Sequence, residues 1–158
     1  MIRAAIEADV DQIGRLWQQL ATYHMHLHPD LPRPAPNGWE VYARRISTRL
    51  ADRNMRVLVA EEDDQIVGFV LGVIVDLIPQ MFDQETSGFL ADIYVDTAYR
   101  RRGIGKALVR SLIDWFEARD VRYFEWYVST YNAEAIAFWQ AVGGRDVMRR
   151  MRLDVPGK

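Results

Sequence analysis

The chain lacks cysteine altogether. This absence excludes disulfides, thiolate metal ligands and a cysteine nucleophile, and it leaves the redox compartment open. Histidine is scarce, since only His24, His26 and His28 occur. Two histidines four residues apart on a helix can share a metal ion, but no carboxylate stands at a convincing spacing from them. We therefore expect no metal site; the alternatives for these residues are the lining of a substrate cleft and a plain surface position.

An apolar segment long enough to cross a membrane is also missing. The best candidate, residues 66–78, is shorter than the ~18 residues that a spanning helix needs, and it contains Asp76. The N-terminal segment carries Glu7 and Asp9 where a signal peptide would need its apolar stretch. We therefore expect a cytoplasmic protein with no membrane partner.

Neither sign of charge is in large excess. The 20 basic and 22 acidic residues give a net charge of −2, and only Lys106 and Lys158 are lysines. Proteins whose main partner is nucleic acid usually carry a basic surface, so this balance argues against that class. Residues 100–102 are all arginine, but no basic stripe elsewhere extends them. We expect no nucleic-acid partner.

The composition that remains is that of an ordered globular protein. Hydrophobic residues make up 49% and charged residues 27% of the 158 positions. The length suits one core, and no internal repeat or linker-like stretch divides the chain. We expect a single domain over residues 1–158.

Hydrophobic periodicity predicts helices and strands in alternation. Helices are expected from about residue 8 and over 39–51, 106–119 and 133–142. Strands are expected over 2–5, 56–60, 66–75, 89–95, 123–128 and 149–155. Loops are expected over 28–38, which holds four of the six prolines, over the acidic turn 61–65 and over 79–87. The fold class is therefore α/β, or α+β, with a mixed sheet.

The most informative segment is a strand followed by an arginine-glycine loop and a helix. The strand ends in Asp92-Ile93-Tyr94-Val95, and the loop reads Arg100-Arg101-Arg102-Gly103-Ile104-Gly105. A helix N-terminus has unpaired N–H groups and a partial positive charge, and both attract phosphate. Glycines let the backbone turn tightly beside such a group, and the arginines add charge. The loop has the chemistry of a diphosphate site; the alternative is a solvated basic turn at the start of a surface helix.

This segment resembles motif A of the Gcn5-related N-acetyltransferase (GNAT) family, whose pattern is Gln/Arg-x-x-Gly-x-Gly/Ala after such a strand. A second stretch resembles motif B of that family: Glu125-Trp126-Tyr127-Val128, then residues 132–139, then Gly143-Gly144. The order of elements agrees over residues 2–155. The Glu-Trp-x-Val detail is most similar to the diamine and thialysine acetyltransferase branch.

The resemblance implies a GNAT-like fold. Such a fold has a central mixed, mostly antiparallel sheet of six to seven strands, about four flanking helices, and a splay between the two central parallel strands. The implied activity is transfer of an acetyl group from acetyl-CoA, the acyl-donor cosubstrate, to a primary amine of a small molecule or a protein. The amine would attack the thioester directly. Homodimers are common in the family, and segment 149–155 is a candidate dimer edge.

The resemblance also implies contacts to acetyl-CoA. Backbone groups of Ile93 and Val95 would pair with the pantetheine arm, and N–H groups of residues 101–106 would hold the diphosphate. Asn132 would hydrogen-bond the pantetheine, while Phe138 and Trp139 would line the thioester end. The full expected set is Ile93, Tyr94, Val95, Arg100, Arg101, Arg102, Gly103, Ile104, Gly105, Lys106, Asn132, Phe138 and Trp139.

Two positions depart from the family pattern. Trp139 stands where members often have a tyrosine that protonates the departing thiolate, and Ala91 stands where a glutamate is often found. Asp92 and Glu125 are the remaining candidates for a base, and Tyr131 and Tyr127 are the candidate substitute acids. Plainer roles are open to them, because Asp92 could be a structural acceptor and Tyr131 a packing residue. The alternative function is a catalytically impaired coenzyme A-binding regulatory or interaction module.

Trp39 and Tyr42 fall where the family usually builds the wall of its acceptor site. The alternative is that they belong to the buried side of a packed amphipathic helix.

Overall fold

The computed structural model describes residues 1–76 and 80–158. Its sheet has five strands in the order β1-β2-β3-β4-β5, antiparallel except that β4 and β5 run parallel. The strands are β1 (Ile2–Ala4), β2 (Met55–Glu62), β3 (Gln65–Val75), β4 (Ser87–Val95) and β5 (Phe124–Glu125). The helices are α1 (Val10–Leu27), α2 (Gly38–Ser47), α3 (Ile104–Glu117) and α4 (Ala133–Ala141), and short 3₁₀ turns cover Glu7–Asp9 and Thr97–Tyr99.

The chain divides into two compact units. The first, Met1–Tyr127, contains the whole sheet with α1, α2 and α3, and the second, Val128–Lys158, contains α4. The single domain expected from the sequence stays a prediction. Within the described residues, no helix is both long enough and apolar enough to span a membrane.

The mixed α/β architecture confirms the predicted fold class, and the sheet requires corrections. In the described part of the chain the sheet has five strands rather than six to seven, so the parallel pair lies at one side of the sheet and not at its centre. Strand β5 covers two residues where the sequence pattern predicts 123–128. Of the predicted loop 79–87, Pro79 lies outside the described residues.

The predicted strand over 149–155 is wrong for this structure. Those residues form neither helix nor strand, and Met151 and Leu153 are 85% and 92% exposed. A strand is stabilised by the hydrogen-bonded ladder to a neighbour. Alternating apolar residues indicate which face a strand would bury, but they do not supply that neighbour.

One face of the sheet packs against α1 and α2. Ile13 of α1 and Ile46 of α2 are fully buried in one cluster with Val59 and Phe69 of the sheet. Both helices have apolar residues at helical spacing, which produces the single buried stripe that this packing requires. This packing therefore forms one large apolar cluster of the core.

The opposite face packs against α3. Leu108 and Leu112 are fully buried there, and the helix approaches β3 closely at Gly72. A Cβ atom on Gly72 would lie 2.5 Å from a Leu112 methyl group, so a larger residue there would displace the Leu112 side chain. Glycine at this position therefore lets α3 pack close to β3.

Strand β4 carries one extra residue relative to β3. Leu71 pairs with Asp92 and Gly72 pairs with Leu90, so Ala91 is left unmatched. Such a bulge shifts the alternation of side chains by one position. Leu90 consequently faces α3, whereas Asp92 faces α1 and α2. The bulge thus decides on which side of the sheet the Asp92 carboxylate lies.

Candidate active site

Strands β4 and β5 separate soon after they meet. They pair only at Gly88 with Phe124 and at Phe89 with Glu125, although β4 continues to Val95. On its other side β4 stays paired with β3 as far as Val95. Among the described residues, the stretch 90–95 therefore has one edge that no strand covers. An extended ligand can hydrogen-bond to such an edge as an added strand would.

The directions of the backbone N–H and C=O groups show which residues of β4 face the open edge. The Asp96 N–H donates to the Val67 carbonyl at 2.8 Å, so Asp96 faces β3. Both backbone groups of a strand residue point to the same side, and the side alternates along the strand. Tyr94 therefore also faces β3, while Ile93 and Val95 face the open edge. The Val95 carbonyl already accepts from Arg100 Nε at 2.9 Å.

The loop after β4 is built by local hydrogen bonds and unusual backbone angles. The Asp96 carboxylate accepts from the Ala98 N–H at 2.9 Å, which forms the turn Thr97–Tyr99. Arg101 and Gly103 then adopt the left-handed conformation, with φ of 64° and 82°. Few residues with a side chain tolerate this region, so the angle at Gly103 favours glycine. These two left-handed residues turn the backbone so that it enters α3.

The N-terminus of α3 leaves backbone donors free of helical partners. The first helical hydrogen bond runs from the Ala107 N–H to the Gly103 carbonyl at 3.0 Å. The amides of residues 104–106 therefore have no acceptor within the helix, and Gly103 has no side chain to cap them. These donors and the helix dipole favour a bound anion at this position.

The basic side chains of the loop differ in their surroundings. The Arg100 guanidinium is half-buried, with its central carbon 5.2 Å from the Tyr94 ring centroid. Arg101, Arg102 and Lys106 are exposed, and Arg102 donates to the Ala98 carbonyl at 3.3 Å. Arg100 thus stabilises the end of β4, while the other three basic side chains remain accessible to a ligand.

Asp92 is a half-buried carboxylate held by a tyrosine. The Tyr42 hydroxyl donates to Asp92 Oδ2 at 2.9 Å. Burial raises the pKa of Asp92 to about 6, and the bond from Tyr42 partly offsets that rise. The pKa of Tyr42 lies well above its usual value, because its hydroxyl is buried and next to the Asp92 charge. A carboxyl group with such a pKa changes its charge near neutral pH.

Tyr42 is held in place by neighbouring rings. It stacks on Trp17 with a centroid separation of 5.0 Å and meets Phe69 edge-on at 6.2 Å. The packed-helix interpretation of Tyr42 therefore describes its ring, but its hydroxyl has a polar partner that the sequence does not indicate. The two residues lie 50 positions apart, and no local pattern links them.

The other candidates for acid and base lie in more open surroundings. Glu125 ends β5 and is exposed. Tyr127 is 81% exposed and touches Phe89 edge-on at 5.5 Å. Tyr131 belongs to the second unit, where it is 48% exposed and its N–H donates to Ser129 Oγ.

Within the second unit, the motif B residues form the start and one side of α4. Asn132 is buried, and its side-chain oxygen accepts from the Ala135 N–H at 3.1 Å, which caps the helix. Phe138 and Trp139 meet edge-on at 5.0 Å, and Trp139 is buried. Their expected contacts with acetyl-CoA stay predictions.

The histidines all lie on or next to α1. His24 is half-buried, which lowers its pKa, and His26 Nδ1 lies 2.9 Å from the Thr22 carbonyl. Over residues 1–76 and 80–158, no three histidine or acidic side chains are grouped so that they could hold a metal ion.

The chain is similar in sequence and in fold to known proteins. A model of the acetyltransferase (GNAT) family matches residues 15–143. Human N-acetyltransferase 8 is 34% identical over 138 residues, and the match covers 80% of this chain but 59% of that longer protein. A mutant of the BH1408 protein from Bacillus halodurans matches with a TM-score of 0.88 and 24% identity, over 98% of this chain and 99% of that one.

A further solved structure is the aminoglycoside N-acetyltransferase AAC(6')-Iy in complex with CoA. It matches with a TM-score of 0.76 and 20% identity, over 99% of this chain and 94% of that one. At these identities the two solved structures show a shared fold.

Proposed function

Because the chain belongs to the acetyltransferase (GNAT) family, we propose that it transfers the acetyl group of acetyl-CoA to a primary amine of a small molecule or a protein. The observation that carries the proposal is the open edge of β4, which leads directly to the free amides at the start of α3. Acetyl-CoA has the matching order of groups, since an extended arm with amide groups joins its thioester to a diphosphate.

In this proposal acetyl-CoA lies along the open edge of β4. The amides of its arm pair with the backbone of Ile93 and with the Val95 N–H, both of which face that edge. The diphosphate lies against the amides of residues 101–106, with exposed arginine and lysine side chains around it. Only the family resemblance supports further contacts from Asn132, Phe138 and Trp139.

Asp92 is the proposed base. A lysine-like ammonium has a pKa of about 10.4, so the attacking amine must lose a proton at neutral pH. A carboxylate whose pKa is raised from 3.8 to about 6 makes that proton transfer about 3 kcal/mol less unfavourable. The Tyr42 hydroxyl holds Asp92 Oδ2, which leaves the other carboxylate oxygen for the amine or for a bridging water.

Protonation of the departing thiolate needs less assistance from the protein than deprotonation of the amine. A thiol with a pKa of about 8.5 leaves readily near neutral pH, so an acid is less important than a base. Tyr131 is the proposed donor of the proton that the thiolate takes up. The Ile93 N–H, which faces the open edge, is the proposed donor to the carbonyl oxygen during attack.

A second candidate function is a coenzyme A-binding module with impaired catalysis. It rests on Trp139, which offers no ionisable hydroxyl, and on Ala91, whose methyl group at the bulge cannot act as a base. Both functions predict that acetyl-CoA binds. Only the enzyme function predicts that free coenzyme A is released when a suitable amine is supplied.

We also propose that two copies of the chain pair through the C-terminal segment. Its apolar side chains are exposed, with Met151 at 85%, Leu153 at 92% and Val155 at 66%. A neighbouring strand from a second copy would cover them and pair the backbone. Leu153→Asp would then shift the protein to the monomer in light scattering, whereas an unchanged mass would refute the pairing. The cytoplasmic location stays a prediction.

The experiment that tests the function measures thiol release from acetyl-CoA across polyamines, amino acids, aminoglycosides and lysine peptides. Calorimetry with acetyl-CoA on the same protein measures binding separately. Turnover with at least one amine supports the enzyme, and binding without any turnover supports the module. An absence of binding would overturn both.

A further inference from the structure

A cavity of about 200 Å³ lies where β2 begins, away from the segment 92–106. Part of its lining is apolar and includes the buried Met55. Three arginine side chains also line it, namely Arg53, Arg56 and Arg119. Arg53 and Arg119 are exposed, whereas Arg56 is half-buried. Arginine is rarely buried without a partner, so the surroundings of Arg56 are the feature to explain.

Arg56 has an unsatisfied donor. Side chains of β2 alternate between the two faces, and Met55 and Val57 pack with α1 and α2, so Arg56 points toward α3. Its Nε atom is buried and has no acceptor among the described residues. Buried donors in native proteins normally find a partner in protein, water or ligand.

Trp115 of α3 connects Arg56 with Arg119. The guanidinium carbons of the two arginines lie 5.8 Å and 4.7 Å from its ring centroid. Cation–π contacts of this kind hold guanidinium groups in place. The Trp115 Nε1 atom is a second buried donor without an acceptor in the described part of the chain.

The described lining residues of the cavity carry three positive groups and one negative group. Asp52 is the one carboxylate among the described lining residues. It already accepts from Arg49 at 3.0 Å and from the Asn54 N–H at 2.9 Å. Capping of α3 accounts for part of the arrangement, since Arg119 donates to the Trp115 carbonyl at 3.2 Å. Capping of α3 does not explain why the Arg56 Nε donor lacks an acceptor among the described residues.

We propose that this cavity binds a small oxyanion, which is a phosphate or carboxylate group of a small molecule. Its oxygen atoms accept from the guanidinium groups of Arg53, Arg56 and Arg119, which line the cavity. Arginine suits this task because its planar group presents several donors in a fixed arrangement. The site is separate from the proposed acetyl-CoA site and does not depend on it.

The test is a titration of the full chain with inorganic phosphate or with citrate, followed by NMR at constant ionic strength. The indole signal of Trp115, identified with Trp115→Phe, and the Nε–H signal of Arg56 should shift saturably. Arg56→Gln should weaken the binding by about tenfold, the effect of losing one hydrogen bond to a charged group. Arg101→Gln, in the loop before α3, should leave these shifts unchanged.

Several outcomes would overturn the proposal. These are an absence of saturable shifts, the same shifts with sodium chloride alone, or a loss of the shifts in Arg101→Gln but not in Arg56→Gln. Shifts with phosphate but not citrate would identify a phosphate site, and the reverse a carboxylate site. If Arg56→Gln does not fold, Arg119→Gln at the exposed rim makes the same test. In addition, the anion should raise the melting temperature of the natural chain but not that of Arg56→Met.

Discussion

The surroundings of Asp92 and the loop at residues 100–106 lie a few positions apart in the chain and differ in almost every physical respect. Asp92 is half-buried and accepts a hydrogen bond from the Tyr42 hydroxyl, and the Tyr42 ring stacks on Trp17. The loop is exposed and basic, and its donors belong mainly to the backbone. The first region suits proton transfer, because burial raises a carboxyl pKa. The second suits a permanent anion, which needs donors and positive charge.

This difference separates two kinds of defect. Changes near Asp92 should alter the chemical step while acetyl-CoA still binds. Changes in the loop should weaken acetyl-CoA while the pH dependence of the reaction persists. The comparison fails if the two sets of variants show the same defect.

The largest effect is expected for Asp92→Asn. The loss of a positioned base should lower kcat by about 10²- to 10⁴-fold, with the dissociation constant of acetyl-CoA unchanged by calorimetry. Glu125→Gln is the matched variant, and it should keep kcat within a few-fold. If Glu125→Gln loses the activity and Asp92→Asn keeps it, the base is Glu125.

Stability provides the control for that variant. The folded chain holds the pKa of Asp92 at about 6, above the 3.8 of the unfolded chain, so the charged form disfavours folding. The contribution of Asp92 to the free energy of unfolding should therefore fall as pH rises from about 4 to 6. Asp92→Asn should remove this fall, and its free energy of unfolding at pH 7 should exceed that of the natural chain by up to about 3 kcal/mol. An inactive variant that is less stable at pH 7 would point to a structural role for Asp92.

The next effect concerns binding and is expected for Gly103→Val. A β-branched residue at φ of 82° is strained by about 1–3 kcal/mol, so the loop should leave its conformation. The affinity for acetyl-CoA should fall by about tenfold or more, as calorimetry would measure. Asparagine adopts the left-handed region more readily than valine. The loss of affinity for acetyl-CoA in Gly103→Asn should therefore be several-fold smaller. Equal affinities for all three proteins would refute the role of the loop.

A smaller effect is expected for Tyr42→Phe. The ring keeps its stack on Trp17, but the bond that lowers the pKa of Asp92 disappears. The acid limb of kcat/KM should therefore move to higher pH, with a similar plateau above it. Tyr123→Phe, at an exposed position, should leave the profile in place. A lower plateau with an unmoved limb would contradict a positioning role for Tyr42.

The smallest effect is expected for Arg101→Gln. Its side chain is exposed, so loss of one charge should weaken acetyl-CoA by only about threefold to tenfold, and less at high salt. Arg110→Gln, exposed farther along α3, is the control. A loss that is independent of salt would indicate a conformational cause rather than an electrostatic one.

Much of the site could be predicted because its signal is local. The glycine at residue 103 and the arginines around it indicate a tight basic loop before a helix, and the structure has Gly103 at positive φ. The bulge at Ala91 could not be predicted, because it depends on the register between β3 and β4. The strand expected over 149–155 failed for a related reason, since its pattern is local but its partner is not.

By itself, the sequence determined the fold class, the order of most elements and the loop that begins α3. These depend on residues within a few positions of one another, where periodicity and glycine angles act directly. Only the tertiary structure decided that Asp92 faces Tyr42, that Ile93 and Val95 face the open edge, and that Arg56 lies beneath Trp115. Each of those outcomes depends on distant segments packing together, because burial and strand register arise only when the chain has folded.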